Sequence, residues 1–239
     1  MAHLELRMKL LDGNLESQYL GATALAQVGF ASMLFDGREA RFRSRKVRAI
    51  FDGERSTEPF YYDDHMAAMR ELARRYPFID IGRTGIYGIS GGGFRAARAL
   101  LQHPQFYKVA VAVAGSHDEG TWIATGRAAP GEREFDWPTN MEIANRLQGK
   151  LLLMHGFVDD DVHVAQTLQF AQALIEANKD FDMLILPTYE HKQFWRHWYS
   201  NRKTWDYFVQ HLLHETPPEP IDVPDADDPP FRRPMHPDE

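Results

Sequence analysis

The chain has no cysteine, no long apolar run and no excess of positive charge. The absence of cysteine excludes disulfides, a thiolate nucleophile and cysteine metal sites, and it fits a reducing compartment such as the cytoplasm. The longest apolar runs, 109–114 and 151–154, are far shorter than the ~20 residues that a membrane-spanning helix needs. The first residues, MAHLELR, lack an apolar segment after a basic stretch. We therefore expect a soluble protein without a secretory signal.

The charge balance argues against two classes of partner. The chain has 27 Lys and Arg against 34 Asp and Glu, a formal net charge of −7. This field repels phosphate backbones and anionic membrane surfaces, so neither nucleic acid nor membrane is expected as a partner. One cluster is basic instead: Arg38, Arg41, Arg43, Arg45, Lys46 and Arg48. We interpret it as a solvated or self-paired loop, with binding of a substrate carboxylate or docking of a partner as the alternatives.

The hydrophobic pattern predicts one α/β domain. Leu4–Leu10 alternates apolar and charged residues, which predicts an edge strand with one wet face. Five later runs lack alternation, as buried parallel strands do. They are Phe30–Phe35, Thr84–Ile89, Lys108–Ala114, Lys150–Met154 and Asp182–Leu186. Helical spacing of apolar residues occurs at Asp64–Arg75, Gly92–Gln102, Ala165–Asn178 and Asn201–Leu213. Strands alternating with helices predict a doubly wound, mostly parallel sheet with helices on both faces.

The composition changes at Thr216, after which the chain holds eight of its 14 prolines and many acidic residues. Such a segment has too few apolar residues for a core of its own. We therefore divide the chain into an α/β domain, residues 1–215, and a Pro/Asp-rich tail, residues 216–239, which is either extended along the domain or disordered.

The most informative motif is Gly88-Ile89-Ser90-Gly91-Gly92, which fits G-x-S-x-G between a predicted strand and a predicted helix. A serine at such a sharp turn is lifted clear of the sheet. The amide of Gly91 and the positive end of the helix then face the oxygen that becomes negative during acyl transfer. This context predicts that Ser90 is a nucleophile. The alternative is a glycine-rich turn that binds phosphate.

A nucleophilic serine needs a histidine base and an acid, and in α/β-hydrolases these follow in the order Ser, Asp, His. An acidic run, Asp159-Asp160-Asp161, follows the predicted strand at Lys150–Met154. His191 follows the next predicted strand, Asp182–Leu186. Because the carboxyl ends of parallel strands meet at one edge of a sheet, we expect an acid of this run and His191 to lie there with Ser90.

From about Ala24 to Leu213 the sequence resembles the catalytic domain of the prolyl oligopeptidase superfamily, and its dipeptidyl-peptidase-like branch in particular. The matching segments are Phe35–Arg38, Ala73–Asp80, Ser90–Phe94, Leu101–Ala114 and His155–His163. The resemblance implies an α/β-hydrolase fold, a serine peptidase activity without a cofactor, Asp159 as the acid and His191 as the base. Asp160 and Asp161 are then loop-capping or solvated residues.

Three features depart from the family pattern. The resemblance covers the catalytic domain without the family's β-propeller and first strands. No segment matches the loop with the family's second oxyanion donor, a tyrosine, for which Tyr19 is a weak candidate. His191-Lys192-Gln193 stands where His-Gly-aromatic is usual. The resemblance also suggests that Trp122 lines the substrate pocket.

Three functional readings follow. The first is a serine hydrolase that cleaves short peptides or small esters through an acyl-enzyme. The second is a carboxylesterase with little peptidase activity, because an ester tolerates a weaker oxyanion hole. The third is an inactive interaction module. His117 and Asp118 do not show metal-ligand spacing, so no metal is expected. An uncovered sheet edge recruits strands, which predicts a homo-oligomer formed through Leu4–Leu10.

Overall fold

A computed structural model describes residues 2–6, 23–34, 62–118, 138–195 and 197–219. Its strands are β1 (Ala2–Leu6), β2 (Phe30–Leu34), β3 (Asp80–Ile89), β4 (Tyr107–Val113), β5 (Lys150–Gly156) and β6 (Asp182–Leu186). The longer helices are α1 (Tyr62–Arg75), α2 (Gly91–Gln102), α3 (Ala165–Glu176) and α4 (Trp198–Phe208). Short helical turns occur at 23–27, Ala144–Arg146 and His191–Trp195, and a π-helical turn, Val209–Leu213, extends α4. Among these helices, none has the length and apolar character needed to cross a membrane.

The strands form one six-stranded sheet in the order β2-β1-β3-β4-β5-β6. Every neighbouring pair within the described residues is parallel. The predicted doubly wound, parallel α/β fold is therefore confirmed, and five predicted strands and four predicted helices match observed elements. Parallel pairing brings all carboxyl ends of the strands to one edge of the sheet, where open α/β sheets bind ligands.

A strand is present in the region predicted at Leu4–Leu10, of which residues 7–10 lie outside the described residues, but the prediction that it forms an edge of the sheet is wrong. The observed strand, β1, spans Ala2–Leu6 and pairs with β2 on one side and β3 on the other. Alternation of apolar and charged residues reports which faces of a strand are wet, and it carries no information about how many neighbours the strand has. Within the described sheet the edge strands are β2 and β6, so a dimer formed through a free edge of β1 is excluded.

Two apolar layers cover the two faces of the sheet. In β4, Ala110 and Ala112 belong to the layer that includes side chains of α1, α2 and α3. Val109, Val111 and Val113 belong to the other layer, with Phe208 of α4 and Leu25. This alternation follows from the two-residue period of a strand. Since both faces carry apolar layers, a polar site is expected at an edge of the sheet, and in open parallel sheets this is the carboxyl edge.

The predicted division at residue 216 stays a prediction. Residues 216–219 lie in no helix or strand, and 220–239 lie outside the described residues.

Candidate active site

Ser90 lies at the turn between β3 and α2, at the carboxyl edge of the sheet. Its backbone has φ 61° and ψ −128°, a conformation that non-glycine residues rarely adopt. Two backbone hydrogen bonds fix the turn: Ser90 N donates to Val113 O at 2.9 Å, and Phe94 N donates to Ser90 O at 3.1 Å. Gly91 is the first residue of α2, so its N–H has no acceptor within the helix.

The glycines around Ser90 let the backbone close tightly. A Cβ on Gly88 would lie under 3.0 Å from the carbonyl oxygen of Gly92, and a Cβ on Gly93 would come equally close to the carbonyl oxygen of Val113. Real Cβ atoms essentially never make such contacts, so larger residues would force the strand, the turn and the helix apart. The contact of Gly88 with Gly92 thus gives the first glycine of the G-x-S-x-G pattern a steric reason.

Asp159 and His191 form a buried hydrogen-bonded pair. His191, the first residue of the helical turn after β6, donates from Nδ1 to Asp159 Oδ2 at 2.7 Å. The other carboxylate oxygen, Oδ1, accepts N–H groups from Asp161 at 3.0 Å and Val162 at 2.8 Å. The Asp159 side chain is 0% exposed and that of His191 is 7% exposed. Because Nδ1 donates to the carboxylate, the Nε2 of a neutral His191 carries a lone pair and is able to accept a proton.

The surroundings of this pair favour the charged form of each residue: the pKa of Asp159 is lowered and that of His191 is raised. Burial raises the pKa of Asp159, but hydrogen bonds from His155, His191 and the Val162 amide lower it further than burial raises it, so the net shift is downward. Burial lowers the pKa of His191, but the hydrogen bond and charge of Asp159, with the charges of Asp161 and Asp160, raise it above its usual value. The arrangement therefore stabilises an imidazolium next to a carboxylate.

The loops that carry Asp159 and His191 are in direct backbone contact. Phe157 N donates to Leu186 O at 2.9 Å, which ties the end of β5 to the end of β6. A Cβ on Gly156 would lie under 3.0 Å from the carbonyl oxygen of Tyr189, two residues before His191. The Tyr189 hydroxyl is in turn hydrogen-bonded to Nδ1 of His197. The spacing between the acid and the base is thus set by backbone packing as well as by their own hydrogen bond.

The structure brings Asp159 and His191 together and places Ser90 at the same edge of the sheet. Within the described residues, the Ser90 side chain makes no hydrogen bond to His191. Asp161 Oδ2 lies 3.7 Å from the Nε2 of His191, and the Asp161 side chain is 68% exposed. The acid–base pair is therefore formed, and the Nε2 of its histidine faces the exposed Asp161 carboxylate.

Several predicted residues lie outside the described residues: Trp122, Tyr19 and the basic cluster Arg38–Arg48. His117 lies in the core, where its Nδ1 accepts from the Asn140 side chain at 3.1 Å. In the part of the chain that the structure describes, no group of three or more His, Asp or Glu side chains is arranged to hold a metal.

No role for His155 was predicted from the sequence, and the structure places this residue against Asp159. Its Nε2 lies 3.3 Å from Asp159 Oδ2, and its side chain is 0% exposed. The sequence feature that could have pointed to His155 is its position directly after the apolar run Leu151–Met154, which predicts that its imidazole is buried. Such a residue needs hydrogen-bond partners, because an unpaired buried polar group is costly.

The parallel sheet, the serine at the strand-to-helix turn and the Asp–His pair after later strands define an α/β-hydrolase fold. A dipeptidyl peptidase 4 from Porphyromonas gingivalis superposes with a TM-score of 0.68 at 23% identity, over 88% of this chain and 31% of that chain. An acylaminoacyl peptidase from Pyrococcus horikoshii gives a TM-score of 0.68 at 21% identity, over 95% of this chain and 39% of that chain.

The chain belongs to the prolyl oligopeptidase family, whose sequence model matches residues 17–215. Human dipeptidyl peptidase 8 is 30% identical over 206 residues, which is 82% of this chain and 22% of that protein. The chain thus spans about a fifth of the length of this relative. The family that the sequence resembled is confirmed.

Proposed function

We propose that this chain is a serine hydrolase domain that cleaves short peptides through an acyl-enzyme, with Ser90, His191 and Asp159 as its catalytic triad. The observation that carries the proposal is the buried Asp159–His191 hydrogen bond at the sheet edge that also bears the strained turn of Ser90. Membership of a serine peptidase family and the relatives named as peptidases support a peptide substrate.

In the proposed reaction, the Nε2 of His191 takes the proton of the Ser90 hydroxyl as its oxygen attacks the substrate carbonyl. The Gly91 N–H, at the positive end of α2, stabilises the oxyanion. Asp159 holds the tautomer of His191 and stabilises the imidazolium that forms. His191 then protonates the leaving amine. In the second half of the reaction the same imidazole deprotonates a water that attacks the acyl carbon, and it returns this proton to the Ser90 oxygen as the acyl group leaves as a carboxylic acid.

Two other readings from the sequence stay predictions, and a probe of the reactive serine separates only the second of them from the proposal. A carboxylesterase uses the same triad on small esters, whereas an inactive interaction module has no reactive serine.

A homo-oligomer also stays a prediction, and with β1 inside the sheet it would have to use another surface.

We expect a fluorophosphonate probe to label the wild-type chain covalently and to leave Ser90→Ala unlabelled, because the probe reacts only with an activated serine. Gel fluorescence measures the labelling, and circular dichroism checks that the variant is folded. Ser116→Ala is the matched control, because it removes a hydroxyl after β4 and not after β3. An unlabelled wild type, or equal labelling of Ser90→Ala, would refute the proposal.

The pH dependence of activity should reflect the raised pKa of His191. The base must be neutral to accept a proton, so kcat/KM should rise with pH along a limb whose midpoint lies above 6.5, the usual histidine value. Asp161→Asn removes a negative charge 3.7 Å from Nε2 and should move this midpoint to lower pH. Rates measured from pH 5 to 9 test this, and Asp160→Asn, whose charge has a smaller effect on the pKa of His191 than that of Asp161, should move the midpoint less. A midpoint that Asp161→Asn leaves unchanged or raises would contradict it.

A further inference from the structure

His155 connects the loop of Asp159 to the neighbouring helix. It lies at the end of β5, and its Nε2 is 2.8 Å from the carbonyl oxygen of Val162 and 3.3 Å from Asp159 Oδ2. Its Nδ1 is 2.7 Å from the hydroxyl oxygen of Thr167 on α3. Both His155 and Thr167 are 0% exposed, so these contacts are shielded from water.

The partners determine where the protons lie. A carbonyl oxygen only accepts, so the Nε2 of His155 carries a proton that points to Val162 O and the Asp159 carboxylate. In a neutral ring Nδ1 then has a lone pair, and the Thr167 hydroxyl donates to it. The opposite tautomer would direct the Nε2 lone pair at two oxygen acceptors. The two oxygen acceptors at Nε2 therefore select the tautomer of His155 in which Nε2 is a donor, and the Thr167 hydroxyl satisfies the lone pair that this tautomer leaves on Nδ1.

Val162 connects His155 to the second oxygen of the Asp159 carboxylate. Its N–H donates to Asp159 Oδ1 at 2.8 Å, while its carbonyl oxygen accepts from His155. His155 thus contacts Oδ2 directly and holds the residue that binds Oδ1. The same Oδ2 accepts the hydrogen bond from His191 at 2.7 Å, so a shift of this carboxylate is transmitted to the proposed base.

We infer that Thr167 and His155 are positioning residues, which hold the Asp159 carboxylate in the orientation that His191 requires. The inference deepens the proposed function, because the two residues act on catalysis only through Asp159. It assigns to Thr167 a role that depends on its hydroxyl proton and not on its volume. The role is testable because valine and serine each retain one of these two properties.

The test compares Thr167→Val, which keeps the shape and removes the hydroxyl, with Thr167→Ser, which keeps the hydroxyl and removes a methyl. For a chromogenic peptide substrate, Thr167→Val should lower kcat about tenfold with little change in KM, because it leaves a buried acceptor unpaired next to the triad. Thr167→Ser should remain within about threefold of wild type. Thermal unfolding of both variants measures the purely structural cost.

A second readout reports the Asp159–His191 pair without turnover. The proton between His191 Nδ1 and Asp159 gives a downfield resonance in proton NMR, which His191→Ala identifies by its loss. We expect Thr167→Val to shift or broaden this resonance and Thr167→Ser to preserve it. Thr167→Cys, with a weak S–H donor, should fall between them and replaces the valine variant if that variant does not fold.

The outcomes separate this inference from the proposed function. Unchanged kcat and an unchanged resonance in folded Thr167→Val would overturn the inference, and so would equal losses in the valine and serine variants. If the wild type does not react with the fluorophosphonate, the proposed function fails. The resonance then still decides whether Thr167 positions Asp159.

Discussion

Asp159→Asn is expected to lower kcat for a peptide substrate by about 10⁴-fold while the protein stays folded. The asparagine amide presents an N–H₂ donor where His191 Nδ1 now meets a carboxylate oxygen at 2.7 Å. The imidazole would then place its proton on Nε2, the atom that must accept the proton of Ser90. The variant also loses the negative charge that stabilises the imidazolium. Steady-state kinetics with a dipeptide proline anilide measures the loss.

Asp160→Asn is the matched control, because it makes the same change one residue further along an exposed part of the loop. We expect its kcat to stay close to that of the wild type, since Asp160 acts on His191 only through its charge. A loss of 10³-fold or more in Asp160→Asn, together with an active Asp159→Asn, would reverse the assignment of the acid.

Gly156→Ala is expected to cost about 1–3 kcal/mol of stability and to lower kcat about 10²-fold in the protein that remains folded. The new Cβ would lie under 3.0 Å from the carbonyl oxygen of Tyr189. The oxygen is backbone and cannot rotate away, so the loops that carry Asp159 and His191 must separate. A displacement near 1 Å is enough to misalign a proton transfer.

Gly149→Ala provides the control at the opposite end of β5. Its Cβ would also lie under 3.0 Å from a backbone carbonyl oxygen, that of Lys108, but far from the carboxyl edge of the sheet. We expect a similar decrease in the free energy of unfolding with kcat unchanged. Urea denaturation of both variants measures the loss of stability, and steady-state kinetics measures the change in kcat. Equal kcat in Gly156→Ala and Gly149→Ala would show that the Gly156 contact does not set the spacing of the pair.

The features that were predicted correctly from the sequence are those that depend on local patterns of residues. The turn at Ser90 follows from glycines that the close backbone contacts require, and β4 and β5 follow from apolar runs of strand length. The neighbours of β1 in the sheet could not be predicted from local patterns, because strand order depends on contacts between segments far apart in the chain. The choice of Asp159 over its neighbours came from the family resemblance. The structure adds the physical difference: the Asp159 side chain is 0% exposed and that of Asp161 is 68% exposed.

The role inferred for His155 was not predictable from spacing. A histidine that ends a buried strand has the same sequence pattern whether it packs passively or orients a neighbour. Its hydroxyl partner lies on the following helix, and its carbonyl partner lies in a loop. Only the folded chain shows that these groups and the acid converge on one imidazole.

The strained backbone at Ser90 has a consequence for protein engineering. Glycine adopts a φ of 61° at little cost, whereas a residue with a Cβ is destabilised there by about 1–3 kcal/mol. A search for heat-resistant variants that screens only for folded protein would therefore favour glycine at position 90. Such a selection would improve thermal tolerance while removing the hydroxyl on which the proposed chemistry depends, so it must include an activity screen.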